Sequence, residues 1–254
     1  MTGRLMVVGI GPGDCRFLTE DAKTALSEAE ALYGYSPYLD RVVERPDQRR
    51  HPSDNREEAG RARAALDAAA KGAIVALVSG GDPGVFAMGA AVCEQIESGP
   101  EEWRLLDIVV VPGITAMLAV AARAGAPLGH DFCAISLSDN LKPWSVVEKR
   151  LEAAASAGFV IALYNPTSRA RPWQLGKAFS KLLQALPPAT PVIFGHAVGR
   201  KEERLVVTTL EHADREPADM ATLIIVGSTE TRIVRRPGRD PLVYTPRSVE
   251  GLRT

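Results

Sequence analysis

The apolar runs in this chain are short, unbroken and end in glycine: LMVVGIG (5–11), AIVALVSGG (73–81) and DIVVVPG (107–113). A strand with one face in water alternates apolar and polar residues, whereas a strand covered on both faces does not. These runs therefore belong inside a mostly parallel sheet, and the stretches between them read as its covering helices. TEDAKTALSEAEAL (19–32) is helical, with Thr19 as N-cap ahead of acids in the first turn. EEAGRARAALDAAAKG is helical with Gly72 as its stop, GVFAMGAAVCEQIESG begins a helix beyond the glycine loop, and ITAMLAVAARAG follows Pro112-Gly113. The first half is α/β.

The rhythm pauses around APLGHD (126–131) and resumes with FCAISLSD, the helix SVVEKRLEAAASAG, the strand FVIALYNP, the helix ARPWQLGKAFSKLLQAL, and the runs PVIFGHAV and TLIIVGS. Ser145 and Glu148 have capping-box spacing, and Gly158 closes that helix. The expectation is two α/β domains, 1–114 and 115–254, the second carrying an Arg/Pro-rich tail that is loosely held after Val234.

A chain of 254 residues, 46% hydrophobic and 24% charged, has enough apolar material for a substantial core. Its net charge of -1 argues against a general attraction to nucleic acid or to an anionic membrane. Cys15, Cys93 and Cys133 are widely spaced and form no C-x-x-C pair, which argues against a disulfide framework or a zinc site and for a reducing cytoplasm. Met1 leads almost directly into LMVVG, leaving no room for a signal sequence, and no apolar run approaches the roughly 18 residues that span a bilayer. The chain is expected to be soluble and cytoplasmic, with no nucleic-acid, membrane or metal partner.

Five loops follow apparent strands: GIGPGD, SGGDPG, PGITA, LYNPTS and GHAVGR. In open parallel sheets that edge receives ligands, so five loops on one edge predict a pocket. GIGPGD departs from the dinucleotide fingerprint, because Asp14 takes the third glycine position and Pro12 removes an N–H that a pyrophosphate would use. SGGDPG lacks the G-K-[ST] ending of a phosphate loop, and Asp82 at its centre repels phosphate. The ligand expected here carries little negative charge at that point, or a positive centre. His51, His130, His196 and His212 are scattered and read first as surface or hydrogen-bonded residues.

In their order and spacing GIGPGD, SGGDPGVFAMG, VVPGITA, LYNPTS and LIIVG resemble the tetrapyrrole methylases, the S-adenosylmethionine-dependent family of the cobalamin and sirohaem pathways. The resemblance runs to about residue 235. GYSPYLD (34–40), SDNR (53–56), SLSDNLKPW (136–144), YNPTSRARPWQL (164–175) and GHAVGRKEER (195–204) resemble the branch that methylates precorrin-3B at carbon 17 and contracts the ring to give precorrin-4. The resemblance implies two α/β domains of the class III methyltransferase type, with S-adenosyl-L-methionine in the interdomain cleft, a tetrapyrrole above it, and a homodimer. S-adenosyl-L-homocysteine is the implied cofactor product.

Carried onto this sequence, the resemblance implies that Pro12 lines the cofactor pocket, that Gly80, Gly81, Asp82 and Val85 surround its amino-acid and ribose end, and that Thr115 and Ala116 cap it. Tyr164, Asn165, Val198 and Thr222 would close around the adenine; family members often have Met at the Asn165 position and Ala at the Thr222 position. Glycines allow main-chain amides to approach the cofactor, and Asp82 suits its ammonium or a ribose hydroxyl. Ring contraction requires loss of a proton from the carbon-20 hydroxyl, so an acid or base over the macrocycle is expected, with Asp139, Asp54 and His196 as candidates. Asp54 and Asp139 each precede Asn and also suit turns. Arg56, Lys142, Arg169 and Arg171 are candidates for holding the substrate's peripheral carboxylates. Within the family, a methylase for another precorrin or for cobalt-precorrin-3 stays open. By fold, a nicotinamide-dependent oxidoreductase is the rival, disfavoured by the broken glycine spacing. A non-enzymatic sensor has no extra effector or DNA-binding segment to support it.

Overall fold

The computed structural model describes residues 3–55, 57–168 and 170–248. The chain divides into two compact units, Met1–Ala116 and Met117–Thr254.

In the first unit β1 (Arg4–Gly9) is followed by α1 (Glu20–Glu28), β2 (Ala31–Tyr35), the single turn α2 (Ser36–Leu39), β3 (Arg49–Ser53), α3 (Glu58–Ala70), β4 (Ile74–Ser79), α4 (Met88–Ser98) and β5 (Asp107–Val111). The five strands form one sheet in the order β3-β2-β4-β1-β5, and every pairing is parallel. Alternate residues of β1 go to opposite faces: Met6 and Val8 join a core with Ala22, Ala25 and Leu26 of α1, while Leu5 and Val7 join one with Ala62, Ala65 and Leu66 of α3 and Val92 of α4. Both faces are covered, which is why the runs are continuous.

Thr19 caps α1 as its sequence predicts, its Oγ1 accepting from Ala22 N–H at 3.1 Å. That helix stops at Glu28, short of the expected Leu32, because sheet pairing claims the backbone: Glu30 N–H donates to Ile74 O at 2.8 Å and Glu30 O accepts from Arg49 N–H at 3.0 Å. Helix α4 starts at Met88, not in the glycine loop, because Phe86 is left-handed at φ 51° and breaks the helical path. Gly72, at φ 93°, does end α3.

The second unit begins within α5 (Ala116–Ala124) and continues with β6 (Gly125–Ala126), β7 (Phe132–Ser136), α6 (Trp144–Ser156), β8 (Val160–Tyr164), α7 (Gln174–Leu182), β9 (Pro191–His196), β10 (Arg204–Thr209), β11 (Thr222–Val226), β12 (Arg232–Arg236) and β13 (Arg239–Tyr244). Its main sheet runs β10-β9-β11-β8-β7. Strand β7 is parallel to β8, but β11 is antiparallel to both β8 and β9, and β10 is antiparallel to β9. Ile161, Leu163, Phe194 and Ile224 pack against Val147 and Leu151 of α6 and Phe179 of α7.

Three expectations are corrected here. Helix α6 begins at Trp144, with Pro143 as N-cap and no side-chain cap bond, so Ser145 and Glu148 form no capping box; a fixed φ and no N–H suit proline to a helix entrance. As far as Ser248, the tail after Val234 belongs to a hairpin and is not a loose extension. Strand β12 pairs antiparallel with β13, which pairs with β6, and Val243 and Thr245 are buried. Thr245 Oγ1 donates to Pro127 O at 2.6 Å and meets Thr231 Oγ1 at 2.9 Å. Finally, the five loops expected on one edge lie on two sheets, three on the first and two on the second, because the strands that precede them do.

Among the described residues no helix is long and apolar enough to cross a membrane.

Candidate functional site

Parallel strands deliver all their carboxyl ends to one edge, and on the first sheet the loops after β1, β4 and β5 meet there. Ile10 N–H donates to Ser79 O at 2.9 Å, and Gly11 and Gly81 exchange reciprocal bonds of 3.1 and 3.0 Å, an isolated antiparallel bridge. Both glycines are left-handed, at φ 70° and 68°. Asp82 joins the third loop to them: its Oδ1 accepts from Gly84 N–H at 2.8 Å and its Oδ2 from Gly113 N–H at 3.0 Å.

Packing here is main chain on main chain. A β-carbon at Gly113 would lie 2.2 Å from Gly81 O, and one at Gly9 would lie 2.7 Å from Gly113 N. At Gly80 it would strike the Tyr38 ring at 2.6 Å. At Gly81 the nearest atom, Thr115 Cα, is as far as 3.8 Å. The glycines of this edge therefore serve mainly to let the loops approach each other, and Gly81 is where a ligand has room to come close. Around this core Pro12 and Thr115 are buried, while Asp82, Val85 and Ala116 are half-buried.

On the second sheet the loops after β7, β8 and β9 are held by side chains. Tyr164 Oη accepts from Met117 N–H at 3.1 Å, satisfying an amide in the first turn of α5. Asn165 is left-handed at φ 51°, a conformation asparagine tolerates, and its Nδ2 donates to Ser136 Oγ at 2.9 Å. Asp139 Oδ1 accepts from Arg171 Nη1 at 2.5 Å and Gln174 Nε2 at 2.9 Å. Arg171 Nη1 also reaches Asn140 Oδ1 at 2.6 Å. Hydrogen bonding from Arg171 holds the Asp139 carboxyl below its usual range. Lys142 Nζ donates to Ser138 O at 3.1 Å, and burial, with the charge of Arg150, lowers its ammonium's pKa.

His196 ends β9. Its Nδ1 lies 3.2 Å from Asp219 Oδ1 and 3.4 Å from Thr222 Oγ1. Asp219 Oδ1 also accepts from Thr222 Oγ1 and from Ala221 N–H, both at 2.9 Å. The next residue, Ala197, is left-handed at φ 48°, which for a residue with a β-carbon costs about 1–2 kcal/mol. Val198 and Thr222 are buried.

Asp54, after β3, is exposed; its main-chain N–H donates to Glu57 Oε2 at 3.0 Å and its carbonyl accepts from Arg61 Nη2 at 2.7 Å. Arg56 and Arg169 lie outside the described residues. Gln174, Asp219, Tyr38 and Arg41 were not singled out from sequence. Gln174 carries a faint signal, a polar residue heading an otherwise amphipathic helix, but nothing local separates the others from surface residues.

Residues 4–214 match the model of the Tetrapyrrole (Corrin/Porphyrin) Methylases. The chain belongs to this family. It is 62% identical over 251 residues to a precorrin-3B C(17)-methyltransferase from Sinorhizobium sp, with 99% of each chain covered. To a probable cobalt-factor III C(17)-methyltransferase from Salmonella typhimurium it is 41% identical, covering 96% of this chain and 98% of the relative. The crystal structure of the methyltransferase CobJ superimposes with a TM-score of 0.90 at 47% identity, covering 96% of this chain and all of that one. This tetrapyrrole methylase is accordingly an α/β methyltransferase.

Proposed function

We propose that the chain methylates precorrin-3B at carbon 17 with ring contraction to precorrin-4, using S-adenosyl-L-methionine, as a step of cobalamin biosynthesis. The observation that carries the cofactor class is Asp82, an acceptor set among three interlocked glycine loops that contain no lysine. A carboxylate there suits an ammonium or a ribose hydroxyl and repels a phosphate. When bound, S-adenosyl-L-methionine supplies an electrophilic methyl group. The family resemblance assigns Pro12, Gly80, Gly81, Asp82, Val85, Thr115 and Ala116 to the cofactor, and Tyr164, Asn165, Val198 and Thr222 to its adenine. The near-full-length likeness to the Sinorhizobium enzyme supports the substrate.

Of the three candidate acid–base groups, His196 is the one whose ring is held by a carboxylate. Asp219 Oδ1 accepts, so an imidazole hydrogen belongs on Nδ1, and Nε2 is the nitrogen left for proton transfer. The left-handed Ala197 beside it is backbone strain of the kind that accompanies functional loops. Asp139 is a poorer base because Arg171 stabilises its charged form; its part is to fix Arg171 and the SLSDN loop. Asp54 is exposed and stays an acid–base candidate, and Lys142, with Arg56, Arg169 and Arg171, holds the substrate's peripheral carboxylates. His196→Asn is expected to lower kcat by about 100-fold or more with little change in substrate KM.

A homodimer accords with edge strand β5, where Val110 is half exposed, and with Leu105 just before it at 75% exposure. Exposed free thiols at Cys15 and Cys93 suit the cytoplasm. Sedimentation equilibrium tests the first point. For the activity, calorimetry should detect S-adenosylhomocysteine binding and none of NADH, and Asp82→Asn should weaken it about tenfold or more. Incubation with precorrin-3B and cofactor should yield the ring-contracted product by mass and spectrum. Turnover of cobalt-factor III alone would replace the substrate assignment, and binding of NADH alone would overturn the whole reading.

A further inference from the structure

The block GYSPYLDR (34–41) folds back over the glycine loops. Tyr38, on α2, lays the Cζ end of its ring against Gly80, filling the place a side chain would take. Three residues on, Arg41 reaches the other loop: Nε donates to Gly13 O at 3.0 Å, and Nη2 to Gly13 O, Gly11 O and Ile10 O at 2.5, 2.7 and 3.2 Å. Its guanidinium carbon stands 6.0 Å from the Tyr38 ring centroid, so the two side chains form one layer. Arg50 fixes the far end of the turn, donating to Leu39 O at 2.9 Å and Val42 O at 2.8 Å. A planar fork of N–H groups matches several main-chain carbonyls at once, which a lysine ammonium does less well.

One short segment therefore touches both strands of the Gly11–Gly81 bridge, Arg41 from the GIGPG side and Tyr38 from the SGGDP side. Between themselves these two loops are joined by the Ile10–Ser79 bond and the reciprocal Gly11–Gly81 pair, while glycine backbone on either side of those bonds has wide intrinsic freedom. Without an external restraint, the cost of ordering them would fall on ligand binding.

We propose that the turn Ser36–Arg41 is a brace that sets the register of both glycine loops for the cofactor, with Tyr38 and Arg41 as positioning residues. The proposal rests on reading these loops as the cofactor wall. The brace acts on binding and not on the chemical step, and this separates it from a residue that touches the reacting atoms.

Calorimetry with S-adenosylhomocysteine, steady-state kinetics and thermal unfolding of the ligand-free protein test it together. Arg41→Lys and Tyr38→Ala should each raise Kd, and KM for S-adenosylmethionine, by about tenfold, with kcat at saturation changed less than about twofold. Tyr38→Phe, which keeps the ring, should restore Kd to within about twofold of wild type. Gly80→Ala should weaken binding through its clash with the ring, and Tyr38→Ala added to it should recover part of the loss. If a variant fails to fold, Tyr38→Leu and Arg41→Gln take its place under the same criteria. Wild-type affinity in both the Tyr38→Ala and Arg41→Lys proteins, or a fall in kcat with KM unchanged, overturns the brace. A wild-type protein that binds no S-adenosylhomocysteine defeats the cofactor reading instead.

Discussion

Each main sheet has five strands, yet they assemble their loop edges by different means. The first is wholly parallel, so five carboxyl ends share an edge and three loops lock through glycine main chain. In the second, β10 and β11 run the other way, and the loops after β7, β8 and β9 are tied by polar side chains: Asp139 to Arg171 and Gln174, His196 to Asp219, Asn165 to Ser136. A glycine-locked edge has fixed shape and no tolerance for added atoms. A side-chain-locked edge tolerates change but responds to charge.

The sharpest way to break the contrast is Gly113→Ala, whose β-carbon would sit 2.2 Å from Gly81 O with only backbone to yield. We expect a loss of about 3 kcal/mol in chemical denaturation, at the upper end of overpacking effects, and loss of S-adenosylhomocysteine binding. In the second unit Thr245→Val removes the hydroxyl that joins Pro127 O and Thr231 at nearly constant shape, and should cost about 1–2 kcal/mol in the same measurement.

Smaller still is the pH-dependent effect of Asp139→Asn, because both partners of the ion pair keep some contact with water, at 24% and 18% exposure. The folded Asp139 carboxyl lies below its unfolded value, so its stabilisation is present above the unfolded pKa and is lost as pH falls through the folded one. Wild type and Asp139→Asn should therefore differ in Tm at neutral pH and converge in acid. A difference that persists unchanged into acid would show that the pair contributes no linked stability. Least of all, and of opposite sign, Gly176→Ala fills open space within α7 and should stabilise by about 0.5 kcal/mol; a glycine essential to the second unit would instead destabilise it.

Much of the fold was legible because buried parallel strands must be continuously apolar: LMVVG, AIVALV and DIVVV each became strands. Less legible were β2, β3 and β10. ALYGY continues a helical pattern until sheet bonds to Ile74 and Arg49 claim its start, and RRHPS at the sheet edge buries too little to look like a strand. RIVRR and RDPLVY read as a charged tail because their anchors, Val243 and Thr245, find partners more than a hundred residues away. At the candidate site, the glycine loops and Asp82 stood out as local composition. Arg41, Gln174 and Asp219 did not, since an arginine that binds carbonyls and one that faces solvent look alike in a sequence.

By itself the sequence determined the α/β class and the order and local charge of the glycine loops, because burial periodicity and local charge are written in neighbouring residues. Tertiary structure alone decided that most of those glycines pack against each other, that Asp82 spends its oxygens joining two loops, and that Tyr38 and Arg41 stand behind them. Those are distances between residues far apart in the chain. Only folding brings such groups within the 3 Å or so at which a hydrogen bond or a steric clash acts.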